Sequence, residues 1–318
     1  MSGEHSQSYT TEEIAKLLKI SKLTVYDLIK KGKLPSYRVG KQMRVDAADL
    51  EAYKRLAKGL TAVPKHPHLR GEEELASISP SPVVRSVIIT GQDMGLDILA
   101  KHLEATLTGI RPLRSYVGSM DSLVSLYRGE ADIVSTHLLD GDSGEYNLPY
   151  IRKLLIGSSY VVIHLLARQA GFYVKKGNPL SLRSWEDLNR QGLRLVNREI
   201  GSGARVLLDE QLRLHRISPS AILGYEQTDL SHLAVAGKVA RGEADVGIGI
   251  EKAAAVVGNL TFVPLIRESY DLVLKQSPHN RDLIQAVLDI LNSAAFQREL
   301  GAIPGYDLSH TGRILHQT

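Results

Sequence analysis

The sequence lacks the residues and runs that several classes of protein need. It contains no cysteine, which excludes a disulfide framework and a thiolate metal site and is typical of a reducing compartment. It has no run of about 18 apolar residues, and its polar start, MSGEHSQSYT, lacks the apolar core of a signal peptide. We therefore expect a cytoplasmic protein that does not enter a membrane.

Signatures of catalysis are also missing. The loop Gly201-Ser202-Gly203 is not followed by the lysine of a Walker loop, and it lacks the spacing of a nucleophile elbow. Neither a pair of catalytic carboxylates nor a Ser/His/Asp set stands out along the chain. We therefore expect a protein that is not an enzyme, with no cofactor and no bare metal cation of its own.

Basic charge is concentrated near the N-terminus. Residues 9–59 contain 12 Lys/Arg against 6 Asp/Glu, whereas the whole chain of 318 residues carries a net charge of only +4. The rest of the chain is therefore close to neutral. A small basic unit beside a neutral one predicts a nucleic-acid partner for the basic unit alone.

This basic unit has the pattern of a winged helix-turn-helix. Thr10 and Glu13 have the spacing of a capping box at the start of one helix, and Ser21 is suited to cap a second helix. Residues 34–45 indicate a hairpin, the wing, after which Asp46 is expected to cap a third helix. The alternative is a small helical protein-interaction module with a solvated basic face.

The same stretch resembles the winged helix-turn-helix of the excisionase/MerR-type DNA-binding domains. The residues that carry the resemblance are Tyr9–Ala15, Ser21–Tyr26, Gly32–Pro35 and Tyr37–Lys41. It implies that the second helix faces the major groove with Ser21, Lys22, Thr24, Tyr26 and Lys30. It also implies that the wing reaches the DNA backbone or minor groove with Arg38, Lys41, Gln42 and Arg44.

The remainder of the chain divides into a linker and a larger unit. Residues 59–82 contain four prolines and little periodicity, which is typical of a linker. We therefore assign residues 1–58 to a winged helix-turn-helix DNA-binding domain and residues 83–318 to a two-lobed ligand-sensing domain. The fold class is α/β, since apolar runs suited to strands alternate with helical patterns, with a strand at Leu113–Val117 among them.

One string occurs twice in the larger unit and predicts its two lobes. Residues 128–132 and residues 241–245 both have the sequence Arg-Gly-Glu-Ala-Asp, and each copy lies between a helical pattern and a strand pattern. Two similar α/β lobes suggest a clamshell whose ligand lies between the carboxyl ends of both sheets. The alternative is that helices ending at glycine converge on such strings by chance.

The stretch Leu193–Asp209 has the pattern of an anion-binding loop. A short apolar run leads into Gly201-Ser202-Gly203 and then into an apolar helical run. The first N–H groups of a helix lack intrahelical partners and carry partial positive charge, and glycine lets a ligand approach the backbone. Arg198 and Arg205 add guanidinium groups suited to an oxyanion. The alternative is an ordinary strand, turn and helix with solvated arginines.

The larger unit resembles the periplasmic-binding-protein type II fold, and within it the proteins that carry molybdate or tungstate. The residues that carry the resemblance are His137–Asp140, Gly144–Asn147, Tyr173–Pro179, Asn197–Arg205 and Asp229–Val235. It implies a first-lobe ligand set of Thr90, Gly91, Gln92, Asp93, Ser119 and His137. It implies a second-lobe set of Arg198, Ser202, Gly203, Ala204, Arg205, Thr228 and Ser231.

These observations predict a transcriptional regulator. Its winged helix-turn-helix binds double-stranded operator DNA as a homodimer, and its sensor closes on molybdate or tungstate about two hinge crossings near Leu165–Val174 and Val263–Leu274. Asp93 would repel a dianion unless it orients an arginine or binds a hydroxyl or a cation. The alternatives are a sensor of another small metabolite, or a protein of molybdenum-cofactor assembly or metal delivery.

Overall fold

A computed structural model of the chain describes residues 8–30, 34–39, 42–57 and 84–318. The chain divides into two units, Met1–Ile78 and Ser79–Thr318. The expected linker, residues 59–82, lies outside the described residues, so the proposed bounds of the three segments stay predictions. No helix in the described ranges is both long and apolar enough to cross a membrane.

The described part of the first unit combines three short helices with a three-stranded antiparallel sheet of order β1-β3-β2. Its elements are β1 (Ser8–Thr10), α1 (Thr11–Leu18), α2 (Lys22–Lys30), β2 (Tyr37–Val39), β3 (Gln42–Asp46) and α3 (Ala47–Ala57). A small core holds them together, formed by Ile14, Val25, Leu34, Val45 and Leu50. The hairpin of β2 and β3 is the wing that the sequence predicts, whereas β1 is too short for its pattern to be recognised.

Local capping sets the helix starts of this unit. The Thr10 side chain accepts a hydrogen bond from the backbone of Glu13, whose own carboxylate accepts from the Thr10 backbone, which confirms the capping box. Ser21 Oγ accepts a hydrogen bond from Thr24 N at 3.1 Å, as an N-cap does. The capping role predicted for Asp46 is not observed in the described residues. Asp46 ends β3, and its carboxylate instead accepts a hydrogen bond from the Tyr37 hydroxyl at 2.9 Å.

The second unit is built on a curled ten-stranded sheet in which β5-β4-β6-β11-β7-β10-β8-β9 are neighbours and β12 and β13 pair with β7. Its elements are, in chain order, β4 (Arg85–Thr90), α4 (Gly95–Thr106), β5 (Ile110–Ser115), α5 (Ser119–Arg128), β6 (Ile133–Thr136), α6 (Leu148–Leu154), β7 (Tyr160–Lys175), β8 (Leu195–Arg198), α7 (Gly203–Leu214), β9 (Thr228–Asp229), α8 (His232–Ala240), β10 (Val246–Ile250), α9 (Glu251–Val257), β11 (Leu260–Lys275), α10 (Arg281–Asn292), α11 (Ala294–Gly301), β12 (Tyr306–Asp307) and β13 (Ile314–Gln317).

Two lobes with separate cores lie along this sheet, which confirms the two-lobed α/β fold. In the first lobe β4 pairs in parallel with β5 and β6, and in the second lobe β8 pairs in parallel with β9 and β10. The strand predicted at Leu113–Val117 begins earlier, at Ile110, because the turn at Gly109, with a positive φ of 79°, starts its pairing with β4. Pro112 is tolerated there because β5 is the edge strand.

The two copies of the repeated string occupy equivalent places in the two lobes. Asp132 accepts hydrogen bonds from Ile88 N at 2.8 Å and from the guanidinium of Arg85 at 2.9 Å. Asp245 likewise accepts from the backbone N of Arg194 at 3.0 Å and from its guanidinium at 2.8 Å. In each lobe the aspartate therefore fixes the start of the strand that leads toward the site.

Two long antiparallel strands, β7 and β11, run through both lobes. The first half of β7 and the second half of β11 contribute residues such as Ile163 and Leu272 to the core of the first lobe. The remaining halves contribute residues such as Phe172 to the core of the second lobe. Register shifts at Pro264/Ile266 and at Tyr270/Asp271 lie on either side of the crossing. The crossings fall within the segments predicted as hinges.

Candidate functional site

A small, partly open cavity of about 30 Å³ lies between the two lobes. Its lining includes, from the first lobe, Gly91, Gln92, Asp93, Gly118, Ser119, Ser135, His137 and Tyr270 and, from the hinge strands and the second lobe, Arg168, Arg198, Ser202, Gly203, His232 and Ile250. A volume of this size holds about two water molecules. A larger ligand therefore needs the lobes to move apart.

Helix N-termini from both lobes converge on this cavity. The first residue of α5, Ser119, and the first residue of α7, Gly203, both line it, and so does His232, the first residue of α8. The backbone N–H groups of Ser119 and Gly203 have no acceptor within the described residues. Helix starts carry partial positive charge and unpaired donors, so the cavity is suited to an acceptor or an anion.

A buried charge cluster on the hinge strands forms one wall. Arg168, in the middle of β7, forms ion pairs with Asp93 of the first lobe and with Glu268 of β11, and all three side chains are almost fully buried. Asp93 also accepts hydrogen bonds from the Tyr306 hydroxyl and from Gly95 N, both at 2.6 Å. Asp93 thus orients an arginine, which is one of the roles that lets a carboxylate lie in an anion site.

The ionisation of Glu268 and Arg168 is fixed by their mutual pairing. Burial of Glu268 opposes its charge, but Arg168 and the nearby His137 ring outweigh burial and hold the pKa of Glu268 at about 2. Burial likewise opposes the charge of Arg168, and the two carboxylates outweigh it and raise the pKa of Arg168. Glu268 and Arg168 are therefore both charged at neutral pH.

A second guanidinium, that of Arg198 at the end of β8, is engaged by protein acceptors through its Nε and Nη2 atoms. It donates to both carboxylate oxygens of Glu199, at 2.7 and 2.8 Å, and to the backbone oxygens of Asp229 and Leu230, each at 3.2 Å. It also donates to Gln92 Oε1 of the first lobe at 2.6 Å, and Gln92 Nε2 donates to Glu199 at 3.1 Å. Arg198 therefore links the two lobes, and its charge is compensated by Glu199.

The imidazole of His232 is neutral and has an unsatisfied atom. Burial lowers the pKa of His232 well below 6.5, and the charges of Arg198 and Arg168 lower it further. Its Nδ1 atom is buried and has no hydrogen-bond partner in the described part of the chain. A buried polar atom without a partner is costly, which favours a ligand or a water at this point of the wall.

Close backbone contacts hold the lobes together around the cavity. Met120 N donates to Gly201 O at 3.1 Å, across the two lobes. A Cβ atom on Gly118 would come within 2.9 Å of Gly201 O, and one on Gly203 would come within 2.3 Å of the His137 ring. Only glycine fits at these two points while the lobes are closed.

The comparisons with known proteins decide the family. A model described as a PBP superfamily domain matches residues 100–292, more than half of the chain, and a helix-turn-helix domain model matches residues 8–55. The chain belongs to the PBP superfamily. Protein YvgK of Bacillus subtilis (strain 168) is 46% identical to it over 316 residues, which cover 98% of this chain and 99% of that protein.

Two solved structures show the same PBP superfamily fold. A histidine kinase sensor domain with similarity to periplasmic binding proteins matches with a TM-score of 0.51 at 11% identity, over 70% of this chain and 98% of that one. EhuB in complex with hydroxyectoine matches with a TM-score of 0.50 at 12% identity, over 70% of this chain and 89% of that one. At such identities these likenesses show the fold alone.

The PBP superfamily domain brings together most of the ligand residues that the sequence suggests. Those that line the cavity are Gly91, Gln92, Asp93, Ser119, His137, Arg198, Ser202 and Gly203. Their contact with a ligand stays a prediction. Ser202 also caps α7, since its Oγ accepts from Arg205 N at 3.3 Å and donates to Glu199 O at 2.9 Å.

The structure places the other suggested ligand residues outside this lining. The guanidinium of Arg205 pairs with Asp209 at 3.0 Å and lies 4.1 Å from the centre of the Tyr225 ring, so it supports α7 from behind. Thr228 is exposed in β9, and Ser231 caps α8 through Ala234 N. Thr90 is buried beside the cavity and Ala204 within α7, and neither contributes to the lining.

Sequence reasoning missed the polar residues on the hinge strands and at the start of α8. Arg168 and Glu268 interrupt two long apolar strands, and this interruption was the available signal, since a charge inside a buried strand needs a partner. Their partners could not be identified, because Asp93 lies 75 residues and Glu268 100 residues from Arg168 in sequence. His232 gave no comparable signal.

The helix-turn-helix unit exposes part of the residue set suggested for DNA. Ser21, Lys22, Thr24 and Tyr26 are exposed at the start and along the outer face of α2, where Lys22 pairs with Glu12 of α1. Arg44, on the wing, donates to Ser8 Oγ at 3.1 Å. Three further members have only their backbones described, in α2, β2 and β3, and these are Lys30, Arg38 and Gln42. Lys41 lies outside the described residues.

Proposed function

We propose that this protein is a ligand-responsive transcriptional regulator of the cytoplasm and not an enzyme. Its helix-turn-helix, of the excisionase/MerR type, binds operator DNA as a homodimer, and its PBP superfamily domain senses a small oxyanion, molybdate or tungstate. The presence of both domains in one chain supports the pairing of DNA binding with ligand binding. The ligand changes DNA affinity to the extent that it binds two conformations of the sensor differently.

The observation that carries the oxyanion proposal is the convergence of helix starts from two lobes. Ser119 and Gly203 present unpaired N–H groups to one cavity, and the Ser119 hydroxyl, which accepts from His137 N at 3.3 Å, keeps its proton for a ligand. The guanidinium groups of Arg168 and Arg198 are already compensated by carboxylates. Neutral donors and helix dipoles therefore hold the anion, and the arginines shape the cavity.

Calorimetry with molybdate, tungstate, sulfate and phosphate tests this proposal on the full chain. Ser119→Ala removes a donor from the cavity, whereas Ser125→Ala removes a hydroxyl from the same helix outside the lining. A hydrogen bond to a charged group contributes roughly 1.5–3 kcal/mol, so Ser119→Ala should weaken binding by about one to two decades and Ser125→Ala should not. Arg198→Ala should weaken anion binding at least as strongly as Ser119→Ala does, because it removes the hydrogen bond to Gln92 that links the two lobes.

DNA binding provides the second half of the test. The best oxyanion should change the affinity of the full chain for DNA, and that change should be weaker in Ser119→Ala and intact in Ser125→Ala. If none of the four anions binds, or if Ser119→Ala and Arg198→Ala bind them as tightly as the parent chain, the oxyanion assignment is wrong.

A further inference from the structure

A second, larger cavity opens beside the small one. This groove has a volume of about 490 Å³ and shares four lining residues with the small cavity, namely Gln92, Asp93, His232 and Ile250. Pockets of this size that are mostly apolar, with a few placed polar groups, are typical sites for organic ligands. The two spaces are therefore neighbouring parts of one region between the lobes.

Exposed apolar side chains from both lobes form the walls of this groove. Met94 and Tyr116 belong to the first lobe, and Leu230, Leu233 and Val256 belong to the second. Their exposed fractions lie between 49% and 77%, which is high for apolar residues grouped at one place. Exposed apolar side chains grouped in this way are typical of a binding surface. A ligand in the groove would contact both lobes at once.

A cation lies in the groove without a carboxylate partner. The Lys252 ammonium is 5.4 Å from the centre of the Tyr306 ring, and it forms no ion pair within the described residues. Partial burial lowers the pKa of Lys252, which indicates that its charge is incompletely solvated. An anionic ligand would compensate this charge as well as the unsatisfied donors of the small cavity.

From the continuity of the groove with the small cavity, and from Lys252 in its wall, we infer that the ligand is an organic anion. Its charged group enters the cavity at the starts of α5 and α7, and its apolar body lies in the groove against Leu233 and Val256. This inference rests on the proposed anion sensor and specifies its ligand as larger than a bare oxyanion. His232 lines both the small cavity and the groove, and its unpartnered Nδ1 would contact the ligand where the charged group joins the apolar part.

The test compares three probes on the full chain by calorimetry: inorganic phosphate, 1-naphthyl phosphate and 1-naphthol. The groove variant is the double substitution Leu233→Ser and Val256→Ser. The control is Leu214→Ser with Ile156→Ser, which removes two similarly exposed apolar side chains outside the groove. Serine is used because it is neutral, so the substitutions do not change the net charge around the ligand's anionic group.

We expect 1-naphthyl phosphate to bind at least tenfold more tightly than phosphate. The groove variant should lose at least fivefold of its affinity for 1-naphthyl phosphate and keep its affinity for phosphate, and the control should keep both. Binding of 1-naphthol should be weaker than that of 1-naphthyl phosphate, because the charged group is missing.

Two outcomes separate this inference from the proposed function. If molybdate or phosphate binds and 1-naphthyl phosphate binds no more tightly, or if the groove variant binds it like the control, the inference is overturned and the oxyanion sensor stands. If 1-naphthyl phosphate binds through the groove while molybdate and tungstate do not bind, the inference holds and the molybdate or tungstate assignment fails.

Discussion

At the scale of single residues, the sensor depends on charges that are buried and mutually compensated. Arg168 faces Asp93 and Glu268 with all three side chains at most 4% exposed. A buried ion pair adds little net stability over an apolar replacement of the whole group, but removal of one member leaves an uncompensated charge. The stability of the site is therefore sensitive to any single change in this cluster.

We predict that Arg168→Leu destabilises the chain by about 3–5 kcal/mol, because Asp93 and Glu268 lose their shared cation. The matched control is Arg194→Leu, whose pair with Asp245 is 49% exposed on the arginine side, so that solvent screens it and its loss should destabilise the chain much less. Urea unfolding at pH 7 measures both changes. Equal losses in the two variants would show that burial of the cluster does not matter.

His232 makes stability depend on pH in a defined direction. Its pKa is lowered in the folded chain. Below about pH 6.5 His232 is therefore protonated in the unfolded chain but stays neutral in the folded chain. Its contribution to stability is complete above pH 6.5 and falls by up to roughly 1.4 kcal/mol per pH unit as the pH decreases toward the folded pKa.

The check is urea unfolding of the parent chain, His232→Gln and His279→Gln at pH 7.5 and 5.5. His279 is exposed and serves as the control. The parent and His279→Gln should lose more stability between the two pH values than His232→Gln does. A pH dependence that is the same in all three chains would contradict the assignment of a neutral His232.

At the scale of elements, the start of α7 lies both at the cavity and at a contact between the lobes. Gly203 is the first residue of this helix, and its missing side chain lets the His137 ring of the first lobe approach the backbone. The same helix start supplies an unpaired N–H group to the cavity. One short segment therefore combines an unpaired donor at the cavity with a contact between the lobes.

We predict that Gly203→Ala opens the lobes without unfolding either of them. The added Cβ would lie 2.3 Å from the His137 ring, and relief of such overpacking costs typically about 1–3 kcal/mol, so hydrogen exchange of residues 117–120 and 199–203 should rise roughly tenfold or more. Gly237→Ala is the control, since in α8 only the flexible Arg241 side chain is near. Unchanged exchange in Gly203→Ala would contradict the closed arrangement.

At the scale of the whole molecule, the two units differ in charge. The basic helix-turn-helix is suited to DNA, whereas in the second unit carboxylates compensate the arginines beside the cavity. The sensor can regulate DNA binding only through a difference in ligand affinity between two states of the full chain.

For DNA we predict that Lys22→Ala with Arg44→Ala weakens binding and makes its salt dependence shallower, by roughly 0.9 in the slope of log K against log salt for each DNA phosphate that is no longer neutralised. The control, Lys101→Ala with Arg128→Ala, removes the same charge from exposed sites of the sensor. Titration of the full chain with DNA selected from a random library measures both. If the Lys22/Arg44 variant binds DNA with the affinity and the salt dependence of the parent chain, these residues are not part of the DNA interface.

The sequence by itself determined the parts of this protein that depend on neighbours along the chain. The capping box of Thr10 and Glu13, the strand–loop–helix at Gly201–Gly203 and the two copies of the repeated string follow from local hydrogen bonding and periodicity. The two-lobed fold could therefore be predicted, and so could the loops that meet at the cleft, because strand ends in such sheets face a common edge.

Only the tertiary structure decided which polar groups are engaged by the protein itself. The sequence offers both Arg198 and Arg205 to an anion, but Asp209 and Tyr225 hold Arg205 outside the lining while Glu199 and Gln92 hold Arg198 within it. Arg168 meets Asp93 and Glu268 only because two long strands cross between the lobes. Long-range packing fixes these partners, and no local pattern in the chain encodes them.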